Sequence, residues 1–73
     1  MAEQPDELKK LVAVATDVML PAKVRMDTIR FIGNMANREA LLALLELAAN
    51  EQITKKEREH ALKHAGDIIR SER

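Results

Sequence analysis

His60 and His64 stand four residues apart, a spacing that puts two imidazoles on one helix face where they could share a metal ion. Glu57 and Asp67 extend the same strip, read from the sequence as solvent-facing. The intervening order, Glu57-Arg58-Glu59-His60-Ala61-Leu62-Lys63-His64, lacks the His-Glu-x-x-His arrangement of zinc hydrolases. No third histidine completes a site, so a solvated helix face is preferred, with His60 and His64 kept as candidate ligands.

Nucleophilic chemistry has less to work with. Cysteine is absent, and the single serine, Ser71, falls near the C-terminal end of the sequence. Thr16, Thr28 and Thr54 read as helix-end, core-facing and capping residues. Paired carboxylates are easy to find on any helical surface and carry no chemistry without a cleft. The expectation is a protein that is not an enzyme and holds no cofactor.

Seventy-three residues allow one domain with a small core. Without cysteine that core has neither disulfides nor thiolate metal sites to reinforce it, which fits a reducing compartment. No stretch reaches the roughly 20 apolar residues of a membrane span. Met1-Ala2-Glu3-Gln4-Pro5-Asp6-Glu7 lacks the basic region of a secretory signal, so a cytoplasmic protein without membrane contact is expected. Twelve basic and twelve acidic residues cancel, and Phe31 is the only aromatic. Neither a global field nor base-stacking platforms are available, so nucleic acid is not the expected partner.

Positioning falls to helices, because Leu, Ala, Glu, Lys, Arg and Met dominate and no segment alternates with period two. Four amphipathic segments are expected near 5–18, 21–36, 38–49 and 55–70. Pro5 and Pro21 suit first helical positions, Asn37 an N-cap, and Asn50 a left-handed stop. Thr54-Lys55-Lys56-Glu57 is a Thr-x-x-Glu capping box. The expected inward faces are Leu8, Leu11, Val12, Val14 and Ala15, then Val24, Thr28, Ile29, Phe31, Ile32, Met35 and Ala36. In the last helix they are Ala61, Leu62, Ala65, Ile68 and Ile69. The third segment is apolar around most of its circumference, and Leu42 and Leu45 lie on the side away from Leu47.

Displaced by 33 residues, the sequence falls on itself. Leu8 meets Leu41, Leu11 meets Leu44, Ala15 meets Ala48, Lys23 meets Lys56, Arg25 meets Arg58 and Gly33 meets Gly66. Class matches such as Asp17 with Asn50 and Ile29 with Leu62 continue the register without a gap. The chain therefore reads as one domain, 1–73, of two repeats, about 5–37 and 38–70. Pro21-Ala22-Lys23-Val24-Arg25, Ile29 and Ile32-Gly33 resemble the HEAT repeat, in the HEAT-like form of phycobilisome lyases. The second copy reads Thr54-Lys55-Lys56-Glu57-Arg58, Leu62 and Ala65-Gly66, losing the Pro and Val. The resemblance implies an all-α fold of two tandem hairpins in a short α-solenoid, and a role as a protein-binding scaffold or adaptor. It also implies that Arg25 and Arg58 tie hairpins together.

Arg25 and Arg58 project into apolar arcs and need partners, for which Asp17 and Asn50 are candidates. Both arginines are read as structural, and Gly33 and Gly66 as sites of close helix approach. Charge alternates by helix: net −2 over residues 1–20, +3 over 21–38, −3 over 39–54 and +2 over 55–73. Mutual attraction within the fold is the first reading. The alternative is a mildly basic partner-binding strip of Lys23, Asp27, Arg30 and Asn34 with Lys56, His60, Lys63 and Asp67. A nucleic-acid accessory protein using that strip, or a docking subunit of an enzyme, are the other functional expectations. Two repeats are fewer than the three a stable stack needs, so a homodimer burying Leu42 and Leu45 is expected beside an unknown protein partner.

Overall fold

The fold is all-α: a computed structural model describes residues 6–71 as four helices with short connections. They are α1 (Asp6–Ala15), α2 (Ala22–Met35), α3 (Arg38–Ala48) and α4 (Lys55–Ser71). Pro5, expected to open the first helix, lies outside the described residues. α1 packs on α2 and α3 on α4, and the two pairs are joined chiefly through α2 against α4.

Local chemistry fixes the ends. Pro21 sits one position earlier than expected, at the N-cap of α2, where its carbonyl accepts from the N–H groups of Val24 and Arg25. At α3 the Asn37 side chain accepts from the N–H of Ala40 at 2.7 Å, the expected cap. The capping box also closes as expected. The Thr54 N–H donates to Glu57 Oε1 at 2.9 Å, and the Glu57 N–H donates to the Thr54 hydroxyl at 3.2 Å.

Asn50 departs from expectation. It is not left-handed, since the only positive-φ residue among those described is Ala36, at φ 51°. Its side chain accepts from the N–H of Gln52 at 2.8 Å, forming an Asx turn. Asp17 does the same with Met19 at 2.9 Å, so residues 33 positions apart turn the chain by the same device. α1 correspondingly ends at Ala15, three residues short of the expected Val18.

The core gathers Leu8, Ala15, Ile29, Ile32, Ala40, Ala43, Leu44, Leu47, Ile53, Ala61, Ala65 and Ile68, with Leu11, Val12, Met35, Leu41 and Ala48 at its edge. Five residues expected inside are exposed instead: Val24, Phe31, Leu62 and Ile69, and Ala36, which falls at the C-cap just past α2. On both second helices only the arc facing a neighbour is covered, and the four that belong to the helices lie on arcs where no described helix lies. Phe31 carries the Arg30 guanidinium 5.7 Å from its ring centroid.

Candidate interaction surface

Arg25 is the polar centre of the molecule. It starts from an apolar arc of α2, is only 8% exposed, and must have its donors met. Its Nε donates to Glu57 Oε2 at 2.5 Å, and its Nη1 donates to the carbonyls of Leu20 at 2.7 Å and Asp17 at 3.3 Å. The structural role expected for Arg25 therefore holds, but with a different partner. Asp17 contributes its backbone carbonyl, while its Oδ1 accepts from the Met19 N–H in the Asx turn.

The carboxylate comes from Glu57, whose place in the sequence predicts a solvent-facing strip. It is 1% exposed. One oxygen caps its own helix and the other takes Arg25, so a single side chain ends one helix and bolts it to another. Burial alone would raise its pKa. Hydrogen bonds from Arg25 and Thr54, with the charge of Arg25, outweigh that and hold the carboxyl below its ordinary value.

Arg58, the counterpart of Arg25, does not repeat this environment. It is half-buried, and among the described residues no hydrogen bond or ion pair is made by its guanidinium. The expectation that Arg58 would be covered and bonded is corrected: no described helix lies over it as α4 lies over Arg25. The glycines differ in the same way. A Cβ on Gly33 would come within 2.7–3.0 Å of Nδ1, Cγ and Cβ of His64, so α2 needs glycine there for α4 to approach. At Gly66 only the Arg70 Nη1 comes near, at 3.5 Å, so no described helix approaches that glycine closely.

His60 and His64 do meet, edge to face, with centroids 4.6 Å apart. No group of three or more potential metal ligands occurs among the described residues. His64 is packed over Gly33 and half-buried, and burial, then the charge of His60, lowers its pKa. In the expected partner-binding strip, Lys23, Arg30, Asn34, Lys56, Lys63 and Asp67 are exposed, while Asp27 and His60 are half-buried. Much of its charge is spent locally. Lys23 and Arg30 both pair with Asp27, at 3.6 and 3.9 Å, and Arg70 pairs with Asp67.

Leu42 and Leu45, expected to lie on an open flank of α3, are 49% and 39% exposed, while Leu47 is buried. No helix of the described residues is long and apolar enough to cross a membrane. Comparison of the chain with family models, curated proteins and solved structures gave no match.

Proposed function

We propose that this protein is a non-enzymatic interaction module, a small scaffold or adaptor built from two HEAT-like hairpins. The observation that carries this reading is the aliphatic surface left along the second hairpin: Leu42 and Leu45 on α3, Leu62 and Ile69 on α4. Exposed aliphatic side chains of this kind gain stability by covering another protein, and repeat folds use such surfaces for binding. The flank of α3 is suited to a two-fold homodimer, in which Leu42 and Leu45 of each copy meet their counterparts. The nucleic-acid reading is disfavoured, because Lys23 and Arg30 are drawn to Asp27 within the same helix.

The test combines sedimentation equilibrium with co-purification, comparing the chain with a Leu42→Ser/Leu45→Ser variant. Association, with itself or with a second protein in stoichiometric amount, that the double substitution abolishes would support the reading. A chain that stays monomeric at high micromolar concentration and retains no stoichiometric partner would end it.

A further inference from the structure

The two second helices present the same strip to their C-terminal side, and only one strip is covered. On α2 it is Arg25, Ile29 and Gly33; on α4 it is Arg58, Leu62 and Gly66, continued by Ile69. Steps of four, four and three residues keep these side chains within one narrow arc about 16 Å long. α4 fills the first strip: Glu57 meets Arg25, Ile29 is fully buried, and His64 covers Gly33. Both contacts advance in the same direction, so α4 runs parallel to α2. Its opening turn, Thr54 to Glu57, borders Ala22 and Met26. On the second strip Leu62 is 57% exposed, Ile69 is exposed, and above Gly66 only the end of the Arg70 side chain comes near, at 3.5 Å. Arg58 and Leu62 line a shallow groove of about 270 Å³ with Ala48, Lys55 and Glu59.

We infer that this strip of α4 docks a partner helix of defined chemistry, an inference that rests on the interaction-module reading. The helix runs parallel to α4 and begins with a Ser/Thr-x-x-Glu capping box, whose glutamate seats on Arg58. Small side chains follow over Leu62, and a planar side chain seven residues after the glutamate lies over Gly66, as His64 lies over Gly33. The charge of the groove favours an acidic helix start, because Lys55 and Arg58 outnumber Glu59 there. A second copy is a poor occupant. Its own capping glutamate is buried on Arg25, and in the same register its α2 would bring Val24 onto Arg58.

The probe is a synthetic peptide of residues 52–71, which carries Thr54-x-x-Glu57 and His64, titrated into the isotope-labelled full chain and followed by NMR. Resonances of Ala48, the Arg58 side chain, Leu62 and Gly66 should shift together and saturate. Glu57→Gln in the peptide, or Arg58→Gln in the protein, should each weaken binding by roughly tenfold or more, and the two changes should not add. The inference is overturned by shifts confined to Leu42 and Leu45, or by no shift at Arg58 and Leu62 up to millimolar peptide. It is equally overturned by indifference to both Gln changes, or by movement of Arg25 in place of Arg58, which would report exchange of α4 itself. Head-to-tail self-association through Val24 and Phe31 would also overturn it. The broader reading survives separately if a partner is held through Leu42 and Leu45 regardless of Arg58→Gln.

Discussion

Removing Arg25 should be far more damaging than removing Arg58, although the sequence makes the two equivalent. In Arg25→Met the carboxylate of Glu57 stays 1% exposed and keeps the Thr54 N–H on one oxygen, but the other oxygen loses its cation. The Leu20 and Asp17 carbonyls lose a donor at the same time. Breaking a buried pair from one side costs about 3–5 kcal/mol, because a desolvated charge is left behind. A chain of this length has about 4–11 kcal/mol of total stability, so the substitution removes a large share of it and should lower the urea midpoint sharply. Arg58→Met, with no bonded partner to strand, should cost under about 0.5 kcal/mol.

Glu57→Gln leaves an amide that can still cap the helix but offers no charge to Arg25, and should cost about 2–4 kcal/mol. Combining it with Arg25→Met removes both charges together and should restore much of the loss, giving a coupling of about 2 kcal/mol or more. With no Trp or Tyr in the chain, the assay is urea unfolding followed by far-ultraviolet circular dichroism. A cost for Arg25→Met below about 1 kcal/mol, or a double variant as unstable as the sum of the singles, would refute the reasoning.

Stability should fall on acidification in two stages. The pKa of His64 is lowered in the fold, so stability is fully present above about pH 6.5 and declines as pH falls toward the folded value. Glu57, also lowered, adds a loss that begins below about pH 4.5 and continues through its folded value. Urea titrations at stepped pH should show the upper stage vanish in His64→Gln and the lower shrink in Glu57→Gln. Gly33→Ala should destabilise by about 1–2 kcal/mol, because the new Cβ meets the His64 ring, whereas Gly66→Ala should stabilise by about 0.5–1 kcal/mol. Thermal melts of the two variants moving in the same direction would contradict this. Ala36→Gly should raise stability by up to about 1 kcal/mol, since Ala36 ends α2 in a left-handed conformation; an unchanged or lowered melting temperature would count against it.

The helices and most of their ends were legible because their signals are local. Asn37 and the Thr54–Glu57 box act within one turn, so identity and spacing suffice to assign them. The inward faces were harder. Periodicity gives the direction of an apolar arc but not how much of it a neighbour covers, and Phe31, Leu62 and Ile69 stand at arc edges that no described helix reaches. Asn50 was misread for a related reason: Asn serves both a left-handed stop and an Asx turn, and only the backbone decides.

Glu57 shows where a pattern reading stops. Its role as a cap was visible and correct, and that visibility hid the second role, because a capping carboxylate has two oxygens and the motif accounts for one. The needed clue was present elsewhere: an arginine in the apolar arc of α2 demands a buried anion, and residues 25 and 57 differ by one less than the repeat length. The partner of Arg25 was therefore to be sought one position before its own counterpart, at the start of the neighbouring second helix. A repeat read as a symmetry treats Arg25 and Arg58 alike. Only one of the two is covered: α4 lies over Arg25, and no described helix lies over Arg58. That difference turns a structural arginine in one copy into a recognition candidate in the other.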